Sequence, residues 1–221
     1  MKKWKRSEFL KFITFSPLAL ATAQVQAHQH RTKLHSAHGL NLIPWPKSVN
    51  CSQRRLVLDI NARITTCNGE LYSLAKIVAG ELDSLFNRKV AVTFKDQPLA
   101  GDLELRIDQD LDNEEYRFEV TDRVQISGGS YAGVAVGTVT FLQALITKEH
   151  GLELPVMTIS DSPSASYRGL LIDVARHFHP PQMLKQIIDM CRWYKIRYLH
   201  LHLTDDQSFT FPSQAYPKLA T

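Results

Sequence analysis

Residues 167–207 read YRGLLIDVARHFHPPQMLKQIIDMCRWYKIRYLHLHLTDDQ, and the succession of textures in that stretch decides the fold. Arg168–Asp173 is a near-continuous apolar run, the pattern of a strand in a parallel sheet covered on both faces. Pro180 and Pro181 preset the backbone for a first helical turn. Leu184, Ile187, Ile188, Cys191 and Tyr194 then recur at helical spacing, which predicts a helix buried on that side. Ile196–Leu203 is a second apolar strand. Strand, helix and strand with short joins make a βαβ unit, right-handed by default.

Both strands end in polar residues, DVARHF (173–178) after the first and HLTDDQ (202–207) after the second. In α/β architectures the carboxyl ends of parallel strands carry the site, because the loops there converge on one face. Arg176 and the pair Asp205–Asp206 are expected to meet on that face. Alternation puts Tyr198, His200 and His202 on one side of the second strand and Leu199, Leu201 and Leu203 on the other. A single His there reads best as a satisfied core residue; two, followed by paired carboxylates and faced by an Arg, read as a site. A His-x-His at a strand end beside an Asp is also a possible zinc-type ligand set, but such sites draw further ligands from other strands and none follow here. Arginine beside carboxylates suits a hydroxyl-rich ligand, since a planar fork and acidic oxygens grip neighbouring OH groups. That chemistry points to sugar.

Upstream, Asp161–Ser166 (DSPSAS) is a polar, proline-bearing break and the expected domain boundary. Before it, strands are expected at Arg55–Asp59, Ala62–Cys67, Val90–Phe94, Leu103–Ile107, Tyr116–Val120, Val124–Ser127 and Val156–Ile159. Leu71, Leu74, Ala75, Val78, Leu82, Leu85 and Phe86 mark one face of a helix, and a second helix is expected from Tyr131 to Ile146. Paired strands with helices set apart predict an α+β layer, one sheet with its helices on one side. Ser127-Gly-Gly-Ser130 lacks dinucleotide or P-loop spacing and reads as a turn with a helix start.

The chain has 221 residues, 44% hydrophobic and 22% charged, within the range of globular proteins. Its formal charge of +4 resides in Lys2, Lys3, Lys5, Arg6 and Lys11 set against Glu8. That basic start runs into the apolar Phe12–Ala21 and then small-residue exits at 21–23 and 25–27, so 1–27 read as an export signal for the general route and the product as periplasmic or extracellular. An amphipathic helix of the mature chain would interleave its charges with the apolar block instead. The remaining chain is near neutral with no basic stripe, which argues against nucleic acid, and no later run is long enough for a membrane span. Residues 28–41 are a polar, His-rich leader. Of the three cysteines, Cys51 and Cys67 are the expected pair if export oxidises them, with two free thiols nearly as well supported; Cys191 falls on the apolar face of the expected helix.

The motifs YRGLLIDVARHF (167–178), Tyr194-Lys195, LHLHLTDDQS (199–208) and Tyr216-Pro-Lys-Leu219 resemble the opening of the catalytic barrel of glycoside hydrolase family 20, the β-N-acetylhexosaminidases. Leu42-Ile-Pro-Trp-Pro46, and Val124–Ser127 with Gly133, Gly137, Thr138 and Leu142-Gln143, resemble the small α+β domain that precedes that barrel. The resemblance implies an α+β domain over 42–162 and, over 163–221, the first βαβ unit of a (β/α)8 TIM barrel, which at about 250 residues is incomplete here. It implies that Arg176 holds hydroxyls of a terminal N-acetylhexosamine, that Asp205 belongs to a polar network behind the general acid, and that His202 and Asp206 support the site. It implies substrates ending in N-acetylglucosamine or N-acetylgalactosamine, chitooligosaccharides included; no cofactor and no metal are expected. The family's reaction retains configuration through the substrate's own acetamido oxygen, an exception to the two-carboxylate scheme, aided by an Asp-Glu pair absent from this sequence. The expectation is therefore part of an exported enzyme, inactive by itself; the competing expectation is a non-catalytic carbohydrate- or protein-binding remnant.

Overall fold

A computed structural model describes residues 39–149 and 151–220. The expected export signal (1–27) and the leader up to residue 38 lie outside the described residues. Residues 42–221 form one compact unit, which contains the sheet, the helices and the strand-end cluster.

Its larger part is one eight-stranded sheet. The strands are β1 (Ser48–Val57), β2 (Arg63–Thr66), β3 (Ala91–Phe94), β4 (Leu103–Ile107), β5 (Tyr116–Val120), β6 (Val124–Gly128), β7 (Ile146–Lys148) and β8 (Gly151–Asp161). Their order is β1-β8-β5-β6-β4-β2-β3, with β7 added on β8. The β3-β2-β4-β6 side is parallel and the β6-β5-β8-β1 side antiparallel. Alternation explains the packing: in β5, Tyr116, Phe118 and Val120 are buried while Arg117 is exposed.

Two helices, α1 (Gly69–Phe86) and α2 (Tyr131–Ala144), contact each other and the sheet, an α+β layer. Asn68 caps α1, its side-chain oxygen accepting from the Glu70 and Leu71 amides at 2.9 and 3.4 Å, and so satisfies donors that a helix start leaves open. The helix ends where Asn87 turns left-handed at φ 51°, a conformation asparagine tolerates better than most residues. Leu71, Leu74, Ala75, Val78 and Leu82 are buried, each large side chain contributing about 1.5–3 kcal/mol. Ser130 caps α2, accepting from the Ala132 amide at 3.1 Å and donating to the Asn113 carbonyl at 2.6 Å. At Gly137 this helix lies so close to the sheet that a Cβ would stand 2.6 Å from Ile126 Cγ2 and 3.1 Å from Tyr116 Cδ2.

The second part is β9 (Gly169–Asp173), α3 (Pro181–Trp193) and β10 (Tyr198–His202), with β9 and β10 parallel and Asp173 opposite His202. A short hairpin, β11 (Thr204–Asp205) and β12 (Ser208–Phe209), comes next, and Pro217–Ala220 is 3-10 helical.

Polar bonds seat this unit on the sheet domain. Arg192 pairs with Glu81 of α1 through both guanidinium arms, Nη2 to Oε2 at 2.6 Å. Arg168 and Arg197 share Glu114, the former at 2.9 Å. Gln143 of α2 donates to the Trp193 carbonyl at 2.9 Å and exchanges hydrogen bonds with the Ile43 backbone at 2.9 and 3.0 Å.

Four expectations change. The second helix stops at Ala144 rather than Ile146, whose segment pairs as β7 with β8. β1 and β8 are longer than their apolar stretches, because polar Ser52–Arg54 lie in an edge strand with an irregular register between Cys51 and Arg55, where water can take the outer face. Cys51 and Cys67 are free: β1 and β2 are five strands apart in the sheet order, roughly 24 Å at strand spacing, far beyond disulfide reach. The expected full covering of β9, β10 and α3 is not seen. Leu171 is 57% exposed, Ile188 54% and Tyr194 47%, because two strands offer a helix too narrow a floor to bury its whole apolar stripe; Cys191 is buried as expected.

Candidate functional site

The site forms at the carboxyl rim of β9 and β10. Register sets Asp173 beside His202, and the ladder continues one bond further, from the Val174 amide to the His202 carbonyl at 3.1 Å. Asp173 then organises the turn after β9: its Oδ1 accepts from the Ala175 and Arg176 amides, both at 3.0 Å. Its other oxygen accepts from Arg176 Nε at 2.5 Å. One carboxylate thus fixes both backbone and side chain of Arg176.

Asp205 comes from the hairpin that follows β10. Thr204–Asp205 pairs antiparallel with Ser208–Phe209 around a two-residue turn, and the Ser208 hydroxyl donates to the Ala175 carbonyl, tying this hairpin to the β9 turn. Asp205 Oδ2 is 3.1 Å from His202 Nε2 and 3.3 Å from Arg176 Nε. Its Oδ1 accepts from the Asp206 amide at 2.7 Å. The neighbouring Asp206 side chain, hydrogen bonds from the His202 ring and the Asp206 amide, and the Arg176 charge hold the Asp205 carboxyl down at about 2. The Arg176 amide and guanidinium likewise lower Asp173. Both are carboxylates at neutral pH, acceptors rather than proton donors.

The structure therefore brings Arg176, His202 and Asp205 together and places Asp206 at the exposed edge of the turn. His200 takes no part and is exposed on β10. Asp173, which opens the polar end of its strand, is the site residue to which the sequence reading gives no role; its register with His202 is the signal that could find it.

Electrostatically the cluster is a guanidinium held by two carboxylates, with side chains 60% (Arg176), 25% (Asp173) and 18% (Asp205) exposed. Arg176 is fixed yet accessible, the arrangement that presents donors to ligand hydroxyls while the carboxylates accept from others. Asp173, His202 and Asp205 each offer a ligand atom within 4.8 Å of one another, which as a donor set suits a divalent cation. The guanidinium already lies on two of the three, so a cation there would meet a fixed positive charge.

Comparison with known proteins covers both parts of the chain. The profile of Glycosyl hydrolase family 20, domain 2, matches residues 39–162, and that of Glycosyl hydrolase family 20, catalytic domain, matches 166–221. A β-N-acetylhexosaminidase of Cellulomonas fimi is 37% identical over 154 residues, 68% of this chain and 31% of that protein. A β-hexosaminidase of Porphyromonas gingivalis is 29% identical over 191 residues, 82% of this chain and 25% of that one. Among solved structures, the GH20 exo-β-N-acetylglucosaminidase of Vibrio harveyi, in complex with N-acetylglucosamine, superposes with a TM-score of 0.73 at 26% identity, over 83% of this chain and 28% of that one. An N-acetyl-β-hexosaminidase of Streptomyces plicatus gives 0.70 at 26%, over 81% and 37%. The chain thus spans about a third or less of the length of the first curated relatives it matches.

Proposed function

Because the chain belongs to glycosyl hydrolase family 20, whose members are glycoside hydrolases, we propose that it is the amino-terminal part of an exported β-N-acetylhexosaminidase acting on glycans that end in N-acetylglucosamine or N-acetylgalactosamine. In this reading 42–162 are the domain ahead of the barrel, and β9, α3 and β10 are the start of a TIM barrel. The exposed apolar residues of α3 and β9 support it, since a barrel would bury them between neighbouring strands and helices.

The observation that carries the reading is Arg176, held at the rim of two parallel strands by Asp173 and Asp205. Its remaining guanidinium N–H groups bind ring hydroxyls of the terminal sugar. Asp205, kept ionised, accepts from His202 and stands in the polar network behind the acid. Attack by the substrate's acetamido oxygen on the anomeric carbon calls for an Asp-Glu pair, the aspartate steadying the acetamido group and the glutamate protonating the leaving oxygen. Residues 163–221 contain no glutamate, so these 221 residues bind the sugar without cleaving it.

The test is release of nitrophenol from a nitrophenyl N-acetylglucosaminide by the purified chain. None is expected, while N-acetylglucosamine perturbs NMR signals of Arg176 and Asp205. Turnover that persists through purification, or sugar binding elsewhere, overturns the assignment.

A further inference from the structure

The opposite ends of β9 and β10 hold a second cluster. Lys195 occupies the turn after α3 in a left-handed conformation, φ 59°, and its side chain runs inward until the residue is only 7% exposed. Nζ lies 2.7 Å from Thr140 Oγ1 of α2 and donates to the Tyr116 hydroxyl of β5 at 3.3 Å. That hydroxyl in turn donates to Asp161 Oδ2 of β8 at 3.0 Å. An ammonium has three donors, and these two bonds leave the third without a protein partner among the described residues. A cavity of about 270 Å³ opens beside it, with Trp45, Tyr194, Tyr116, Asp161, Lys47 and Lys195 in its wall.

Charge in this wall is unbalanced. Lys47 and Lys195 share the wall with one carboxylate; Lys47 Nζ donates to Ser162 Oγ at 2.7 Å, and both oxygens of Asp161 are engaged, Oδ1 by the Lys47 amide at 3.1 Å and Oδ2 by Tyr116. Arg168, also in the wall, adds a further cation whose charge is met outside it by Glu114. Burial pushes the Lys195 amine down to about 8 against the pull of Asp161. Enclosing an ammonium with a spare donor is costly unless an anion meets it. Aromatic rings beside hydroxyls and cations suit a hydroxylated ring bearing an acid, with the ring against the aromatic walls and the acid on the cations.

We propose that this cavity is a second ligand site, taking a carboxylated sugar ring whose carboxylate meets Lys195 Nζ while the ring rests against Trp45 and Tyr194. The site is separate from the Arg176 rim: the five-residue strands between them amount to about 16 Å. It requires nothing of the hydrolytic reading.

The probe is glucuronate, with glucose as its uncharged counterpart, titrated into the isotope-labelled full chain and followed by NMR at the Trp45 indole and the Lys195 amide. Saturable, millimolar binding of glucuronate is expected, with glucose at least tenfold weaker. Affinity falls about tenfold from pH 7 to pH 9 as the amine loses its proton. Lys195→Met abolishes binding and Lys195→Arg retains it. Equal binding of glucose, equal binding of inorganic phosphate, a flat pH series or unaltered binding by Lys195→Met each overturns the proposal. The wild-type pH series decides the matter even where a variant fails to fold.

Discussion

Arg176 Nε lies 3.3 Å from Asp205 Oδ2, so side chains from the segments that follow two different parallel strands meet at one rim. The contact depends on a chain of local causes. Register sets Asp173 beside His202, Asp173 turns the backbone so that Arg176 points back, and the β11–β12 hairpin returns Asp205 toward it.

If Arg176 holds the sugar as proposed, that contact should rest on the planar fork and not on charge alone. Arg176→Lys keeps the charge and loses the fork. Charge-assisted hydrogen bonds are worth about 1.5–3 kcal/mol each, so N-acetylglucosamine binding to the chain should weaken about 10- to 100-fold, as measured by NMR titration. Unchanged affinity would show that Arg176 serves Asp173 and Asp205 only.

Acid should dismantle the rim late. Both Asp173 and Asp205 are lowered in the folded chain, so their contribution is present above the unfolded carboxyl value of about 3.9 and is lost as pH falls through the folded values, down to about 2 for Asp205. Carbon-detected NMR of the side-chain carboxyls should show Asp205 still ionised at pH 3. Asp205→Asn should leave the Asp173 midpoint in place or lower it, since Arg176 stays paired with Asp173 and a neighbouring negative charge is removed.

Much of this fold is legible in local pattern. β4, β5 and β6 alternate cleanly, α1 carries its apolar stripe between two asparagine caps, and the prolines before α3 mark its start. The illegible remainder depends on distance in sequence. Lys195 meets Tyr116 and Thr140, and Arg192 meets Glu81, through contacts that no spacing rule encodes. The polar residues Ser52–Arg54 hide the length of β1 because an edge strand needs no inward alternation. At the rim, Arg176 and Asp205 are legible from their place at strand ends, whereas the role of Asp173 rests on turn contacts with the Ala175 and Arg176 amides that spacing does not show.

The close approach of α2 to the sheet makes Gly137 a packing position. Gly137→Val would drive a side chain into Ile126 and Tyr116, both fully buried. Overpacking of this kind costs about 1–3 kcal/mol, read as a lower urea midpoint at unchanged slope. Gly80→Ala, with nothing within 4 Å of its added Cβ, should be neutral or raise the midpoint, since alanine favours helix over glycine by up to about 1 kcal/mol.

Exposed apolar side chains on the β9–α3–β10 unit should make the chain self-associate. Phe178 is 77% exposed, Leu171 57% and Ile188 54%, and both outer edges of the two-stranded sheet lack a strand neighbour among the described residues. Sedimentation velocity should show concentration-dependent oligomers that shrink in Ile188→Lys, whose side chain leaves the core of the sheet domain untouched. A monodisperse wild-type monomer at tens of micromolar would contradict this.

Lys195 sets the alkaline behaviour of the fold. Its value, lowered by burial to about 8 against about 10.4 in the unfolded chain, means that the unfolded state binds more protons between those limits. Stability therefore rises with pH from about 8 to about 10.4, and below 8 the penalty of the enclosed ammonium is present in full. Lys195→Met removes the charge and keeps the length of the side chain. It should unfold at equal or higher urea than wild type at pH 7, because replacing a buried charge by a packed apolar group is often neutral or stabilising, and its midpoint should lack the rise above pH 8. If wild type and Lys195→Met show parallel profiles between pH 7 and pH 10, the ammonium is not enclosed in solution.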